Sequence, residues 1–333
     1  MNLEELQSRL VPFCRAMYCD ESAQVAGVTK MPGHAGFSFG FTVHSRKLVE
    51  SWYLRLPPPH VKWQGTADVL RQVAVLNALE GEPVPHCQVR WSGDDLQWFG
   101  RPYFVVPKLE GDVVRLEAGG WTARLSEPIR RSMARQAMRA LARLHQVDWH
   151  KAPYLGSPID SAEDVIRWDR FIEKAADPER LSRAPHVREL LLARMPTTSA
   201  GIFHGDFQWG NLFFSPAGEL LAVIDWELVG VGATANDLGW FLTFNDPAAW
   251  SENRFCTTLM PPAEELVAMY EEASGASTVD LDWFRALAAY KFAIISGFNL
   301  MLHRRGKRPD PTWEATKESI EPLLHRAHEL LRQ

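Results

Sequence analysis

The amino-acid sequence predicts a two-lobed α+β fold. Three observations lead there. From about residue 33 to 106, short strand-like runs surround one helix. From residue 128 onward helical periodicity dominates, and inside that helical part lies one β-like island, 202–229. The length of 333 residues agrees with about two units at ~150 residues per domain. The change of texture places the boundary near residues 107–112 and divides the chain into 1–107 and 108–333.

Each element has its own signal. Residues 1–25 read as an amphipathic helix with Leu3, Leu6, Leu10 and Phe13 on one side. Gly36 to Val43 and Ser51 to Leu56 read as strands joined by the polar turn Ser45-Arg46-Lys47. Val69 to Leu79 has helical spacing, Tyr103 to Val106 is a short apolar strand, and 110–128 resembles a linker. A long helix over 128–149 is marked by Ile129, Met133, Ala137, Ala140, Leu141 and Leu144. Further helices are expected at 162–176, 185–195, 262–274, 280–303 and 312–332.

Composition narrows the function. Hydrophobic residues make up 46% and charged residues 23%, the texture of a globular protein. The chain carries 36 Lys and Arg against 41 Asp and Glu, a net charge of −5, and lacks the basic stripe of a nucleic-acid binder. Its compact basic run, His303 to Arg308, reads as a solvated helix end. Cys14, Cys19, Cys87 and Cys256 are scattered without a C-x-x-C pair, which disfavours structural zinc and fits a reducing compartment. The N-terminal MNLEELQSRL lacks an apolar signal core. The apolar stretch Ala286 to Leu302 is interrupted by Lys291 and short for a span. The expectation is a soluble, cytoplasmic protein with neither a membrane nor a nucleic-acid partner. The oligomeric state has no sequence signal.

The informative segment runs IFHGDFQWGNLFFSPAGELLAVIDWELVG. Leu212 to Phe214 and Leu220 to Ile224 are apolar runs separated by Ser215-Pro216-Ala217-Gly218-Glu219, a turn composition. Together they form a hairpin signature. Asn211 enters one strand and Asp225 leaves the other, so closing the hairpin brings them together at its open end. Asp206 precedes them on a loop. Two carboxylates and a carboxamide oxygen converging on one point suit a hard divalent cation. The remaining acid can accept the proton of an attacking hydroxyl. That is the division of labour of phosphoryl transfer.

The segment resembles the aminoglycoside phosphotransferase and choline kinase superfamily, which shares the protein-kinase-like fold. Its H-G-D-x-x-x-x-N stands here as His204 to Asn211, and its I-D-W/F-E as Ile224 to Glu227. Gly232-Ala233-Thr234-Ala235-Asn236-Asp237-Leu238 is similar to the family's G-D-P-x-x-D-L, with Ala-Thr replacing Asp-Pro. The resemblance implies a small β-rich nucleotide lobe, a larger mainly helical catalytic lobe, ATP as donor with GTP left open, and Mg²⁺. Asp206 would position or deprotonate the acceptor hydroxyl. Asn211 and Asp225 would hold Mg²⁺. His204 would brace the loop or act in the chemistry, Glu227 would support the metal or touch the acceptor, and Asp237 would brace the catalytic loop. In the first lobe, Gly33 to Gly40 resembles the family's phosphate-facing turn, with Gly36 and Ser38 matching. Arg55 takes the place of the phosphate-binding cation, where Lys is common in the wider fold, and Gln72 the place of the acid that pairs with it. Tyr103 to Gly111 resembles the interlobe hinge, with adenine on the C=O of Pro107 and the N–H of Leu109.

The acceptor is less defined. Met269 to Gly275, Asp280 to Phe284 and Leu54 to Pro59 are similar to the branch that includes kinase domains fused to acyl-CoA dehydrogenases. That branch implies a hydroxylated acyl compound or another small alcohol. The many tryptophans, Trp168, Trp209, Trp226, Trp240, Trp250 and Trp283, either fill the core or line a pocket for an apolar or quaternary-ammonium alcohol. Trp209 and Glu227 are the candidate acceptor contacts. The alternatives are an aminoglycoside or choline-like alcohol kinase, and a nucleotide-binding pseudokinase, which the Arg55 and Gln72 departures favour.

Overall fold

The structure is a computed structural model that describes residues 2–31, 37–59, 61–116, 119–251 and 259–332. The first part comprises α1 (Leu3–Tyr18), β1 (Gln24–Lys30), β2 (Phe37–His44), β3 (Val49–Leu56), α2 (Val69–Ala78), β4 (Trp91–Gly93), α3 (Leu96–Phe99) and β5 (Tyr103–Pro107). Its strands form one antiparallel sheet in the order β1-β2-β3-β5-β4. The predicted α1 stripe is real: Leu6, Leu10 and Phe13 are fully buried against Phe41, Leu54 and Val105 of the sheet. The helix is shorter than expected. Cys19 adopts a left-handed conformation, φ 49°, and donates its N–H to Ala16, which ends α1. The unpredicted β1 follows. Its register slips between Ala26 and Thr29, where Gly27 has φ +62°, and such a bulge disrupts the alternation by which a strand is read.

The second part comprises β6 (Asp112–Val113), α4 (Glu127–His145), α5 (Ser161–Ile166), α6 (Asp169–Ile172), α7 (Ala184–Ala193), β7 (Ala200–Phe203), β8 (Leu212–Phe214), β9 (Leu220–Val223), β10 (Gly230–Ala233), α8 (Ala235–Phe244), α9 (Ala263–Ser274), α10 (Leu281–Arg304), α11 (Thr312–Thr316) and α12 (Ile320–Leu330). The fold is thus the expected one, a small antiparallel-sheet lobe beside a mainly helical lobe. The helix expected over 162–176 is broken into α5 and α6, and the one over 312–332 into α11 and α12 with a 3₁₀ turn between. The β island continues past its expected end into β10, which pairs antiparallel with β7 from Gly230 opposite Phe203 to Ala233 opposite Ala200. A glycine there is required by packing. A Cβ on Gly230 would lie 2.6 Å from the Phe203 ring.

One apolar core crosses between the parts. It runs from Val73 of α2 and Val106 of β5 through Met138 and Leu141 of α4 to Leu212 and Phe214 of β8. A second core, around Phe284, Tyr290 and Ile294 of α10, joins α7, α8 and α12. By length and composition α10 could cross a membrane, yet here it is the central core helix, and Lys291 in its middle is ion-paired with Asp164 of α5.

Candidate active site

The hairpin closes as its composition indicates. Leu212 pairs with Val223, and the Ile224 N–H donates to the Asn211 carbonyl at 2.9 Å. Asn211 and Asp225 therefore flank the open end, one and two residues outside the last paired positions. Asp225 sits in the left-handed region, φ 64° and ψ 59°, a conformation uncommon for residues other than Gly, Asn and Asp.

The loop before the hairpin is held from beneath. The Asp237 carboxylate, 1% exposed at the start of α8, accepts the N–H groups of His204 at 2.6 Å and Gly205 at 2.8 Å. It also meets His145 Nε2 at 3.3 Å, whose Nδ1 lies 2.8 Å from the Tyr270 hydroxyl. Gly205 has φ +86°, and a Cβ there would lie 2.3 Å from the Leu228 carbonyl oxygen, so the turn requires glycine. His204 is fully buried. Its Nε2 bonds the Ile224 carbonyl at 2.9 Å and its Nδ1 accepts the Asp206 N–H at 3.2 Å. Both ring nitrogens are committed to backbone, so His204 ties loop to hairpin and has no nitrogen left for proton transfer. Its inclusion among catalytic residues is corrected accordingly.

Asp206 projects above this base. Asn211 Nδ2 donates to its backbone oxygen at 2.8 Å and to Oδ2 at 2.9 Å. Trp240 Nε1 donates to Oδ1 at 2.9 Å, and Gln208 Nε2 lies 3.3 Å from both oxygens. Burial raises the Asp206 carboxyl above the usual carboxylate range, the nearby Asp225 adds to this, and the donors pull the other way. Trp240 and Gln208 were not among the residues read from sequence. A signal existed for Trp240: it lies three residues after Asp237 on α8, hence on the same helix face.

Cation ligands can be judged by what is left unbonded. With Nδ2 spent on Asp206, Asn211 keeps its Oδ1 as an acceptor. Among the described residues Asp225 Oδ1 is buried without a hydrogen-bond partner, which is costly unless a cation or donor meets it. Among the described residues no group of three or more His, Cys, Asp and Glu is placed to hold a metal by itself. Two protein oxygens with further ligands from phosphate and water suit Mg²⁺, so the residues fit that ion together with a nucleotide.

The sheet lobe supplies a cation. Ser38 and Arg55 are opposite each other in the β2–β3 register. Arg55 is 8% exposed. One of its terminal nitrogens donates to Ser38 Oγ at 3.0 Å, and the other to Glu227 Oε2 at 3.0 Å, lying 3.8 Å from Asp225 Oδ1. Gln72 is not its partner. It is buried on α2, and among the described residues its Nε2 has no hydrogen-bond partner. Glu227 is therefore engaged with Arg55. Burial first, then Asp225, pushes its carboxyl up to about 7, against the pull of Arg55. Trp209 is corrected as well. It is 2% exposed, packs on Phe241 and donates Nε1 to Asn245, so it is core rather than an acceptor contact. Pro107 ends β5 at an exposed position, with Leu109 half-buried two residues on. Gly36 lies outside the described residues.

Fold and site define a phosphotransferase of the kinase-like, two-lobed kind. The chain belongs to the phosphotransferase enzyme family, whose model matches residues 32–287. It is 27% identical to acyl-CoA dehydrogenase family member 11 of Gallus gallus over 333 residues, covering 93% of this chain and 41% of that protein. The chain thus spans about two fifths of that relative. Among solved structures it superposes on one described as a putative aminoglycoside phosphotransferase from Ralstonia eutropha, with TM-score 0.77 and 19% identity, covering 98% of each chain. It also superposes on an amicoumacin kinase in complex with AMP-PNP and Ca²⁺, with TM-score 0.54 and 13% identity, covering 92% and 88%.

Proposed function

We propose that this protein transfers the γ-phosphoryl group of ATP, with Mg²⁺, to the hydroxyl of a small molecule, and that the acceptor is a hydroxylated catabolic intermediate. The observation that carries the reading is the buried Asp225 Oδ1, which among the described residues accepts no hydrogen bond and has only the Arg55 guanidinium 3.8 Å away, beside an Asn211 whose amide nitrogen is locked on Asp206. In this reading residues 1–107 form the nucleotide lobe and 108–333 the catalytic and acceptor lobe. Asp206 accepts the proton of the acceptor hydroxyl, helped by a basicity above that of an ordinary carboxylate. Trp240, Gln208 and Asn211 hold its two oxygens in place. Arg55 faces the donor phosphates. When bound, Mg²⁺ supplies charge neutralisation between the phosphates through Asn211 and Asp225.

The surroundings support an acceptor that is not a polycation. Two of the second-lobe acids that a cationic acceptor could use are already bonded. Asp246 accepts from Arg285 at 2.8 Å and Arg326 at 2.7 Å, and Glu271 from the Thr278 N–H and hydroxyl. Beside Asp206, Trp240 is backed by Phe244 and Phe292, with ring centroids 5.5 and 5.6 Å away. The test is Mg·ATP turnover by wild type and Asp206→Ala against pools of hydroxyacyl compounds, phenols and sterols, amino alcohols and aminoglycosides. Acceptor-dependent ADP release that disappears in the variant supports the reading. Release on the aminoglycoside pool alone would replace the acceptor class, and absence of nucleotide binding would overturn the reading.

A further inference from the structure

Resting on the phosphotransferase reading, we propose that Glu227 is the positioning residue for Arg55. It does here, from the catalytic lobe, what the α2 residue Gln72 was expected to do from the sheet lobe. The guanidinium that faces the nucleotide phosphates is thereby set by the same turn that carries the metal acid Asp225.

Four observations converge. Arg55 Nη2 bonds Glu227 Oε2 at 3.0 Å across 172 residues of chain, while Nη1 is fixed by Ser38 Oγ at 3.0 Å. The fork is therefore clamped at both ends, one end in each lobe, and a guanidinium loses little further freedom when such a fork is preset. Gln72 leaves Arg55 alone: among the described residues the guanidinium hydrogen bonds go to Ser38 and Glu227, and none goes to the Gln72 amide oxygen, the atom that could accept one. The turn that carries Glu227 is itself gripped by α2. Arg71, next to Gln72, donates to the Val229 carbonyl at 2.9 Å and to the Leu155 carbonyl at 3.3 Å. Finally, residues 226–228 form a single 3₁₀ turn directly after Asp225. Arg55 and Arg71 thus hold the two sides of one turn, from β3 and from α2.

The arrangement has a functional consequence. In a site where an acid on the helix orients the phosphate cation, moving that helix can misplace the cation. Here the cation is oriented by the acidic turn, so α2 acts on it through Arg71 and the turn. Placement of the phosphate cation and placement of Asp225 become one event, which occurs when the sheet lobe meets residues 225–229.

The experiment measures Mg·ADP affinity by calorimetry, and KM for ATP against kcat, in wild type, Glu227→Gln, Arg55→Lys and the double variant. Thermal unfolding without nucleotide confirms that each variant is folded. The expected result is a 5- to 20-fold loss of Mg·ADP affinity in Glu227→Gln, a matching rise in KM for ATP, and an unchanged KM for acceptor. Arg55→Lys added to Glu227→Gln should cost little more, because both remove the same preset fork. Glu227→Asp should recover part of the loss. Wild-type affinity in Glu227→Gln, or fully additive losses in the double variant, would overturn the proposal while leaving the phosphotransferase reading intact. If wild type itself binds no Mg·ADP, both fall together.

Discussion

Asn211 donates the same amide nitrogen to the backbone oxygen and to the carboxylate of Asp206, at 2.8 and 2.9 Å. One side chain therefore orients the proposed base and, by that commitment, leaves its remaining oxygen for the proposed metal. Asn211→Ala removes both effects. Since misplacing a reacting group by ~1 Å can cost about 100-fold, kcat should fall by at least about 100-fold. Single-turnover ADP release checks this, and a loss below threefold would exclude the coupling.

Trp240 bonds the other carboxylate oxygen of Asp206 through its indole N–H. Trp240→Phe deletes that donor and keeps an aromatic ring against Phe244 and Phe292. A hydrogen bond to a charged group is worth about 1.5–3 kcal/mol. The expected outcome is a kcat lowered roughly tenfold with an unaltered KM for ATP. Equal kcat values in steady-state assays would remove Trp240 from the site.

The hairpin was legible because its turn chemistry and flanking apolar runs are local, and Asn211 and Asp225 follow from its closure. The lobes were legible for the same reason, through periods of two and of 3.6 residues. What was missed is non-local or irregular. The bulged β1 has no clean alternation, β10 exists by pairing with β7, and the partner of Arg55 lies 172 residues away. Trp209 illustrates a different limit. As one of several tryptophans it could line an acceptor pocket or fill the core, and its burial and its bond to Asn245, which decide between the two, are properties of the packed fold.

Gln72 shows how such a misreading tests itself. If it were the partner of Arg55, Gln72→Glu would restore an ion pair and preserve or raise activity. In the observed packing the new carboxylate would be buried while Arg55 stays bonded to Glu227 and Ser38. An uncompensated buried charge costs about 3 kcal/mol or more. Gln72→Met discards an amide nitrogen that is already unpartnered and should lie within about 1 kcal/mol of wild type. Urea denaturation separates the two expectations. A Gln72→Glu protein as stable as wild type would place an unrecognised cation beside α2.

Glu227 predicts a pH dependence with a definite sign. Its carboxyl is raised from 4.5 to about 7 in the folded protein, burial being the main cause. Between those values the folded state holds a proton that the unfolded state has released. Its contribution to stability is therefore complete below about pH 4.5 and is lost as pH rises to about 7. The attraction of Arg55 is already counted in that shift, so the sign stands despite the ion pair. In chelator and without nucleotide, Glu227→Gln should lie within about 1 kcal/mol of wild type at pH 5 and exceed it at pH 8. The gain at pH 8 is on the order of 3 kcal/mol, or about 4 °C in Tm for a chain of this size. A variant less stable than wild type at pH 8 would show that the ion pair outweighs burial.

Asp225 extends the argument to the metal. It stands in a left-handed conformation that Asn shares, and its charge raises the carboxyls of Asp206 and Glu227. Asp225→Asn keeps the backbone and relieves that repulsion, and Arg55 keeps its shorter contact, the 3.0 Å bond to Glu227. Without metal, the variant should be at least as stable as wild type, by up to about 2 °C in Tm. With Mg·ADP the order reverses. Wild type at 100 times its dissociation constant gains about 2.7 kcal/mol from binding, whereas the variant, lacking a carboxylate for the cation, should gain almost nothing. Differential scanning fluorimetry with Mg·ADP, with ADP in chelator, and with chelator alone resolves these terms. An Asp225→Asn protein that keeps the full Mg²⁺-dependent shift would mean that the cation is held elsewhere, and the orphaned oxygen would then need another explanation. Loss of the shift together with a raised metal-free Tm would mean that the acidic cluster lowers the stability of the fold to hold the cation.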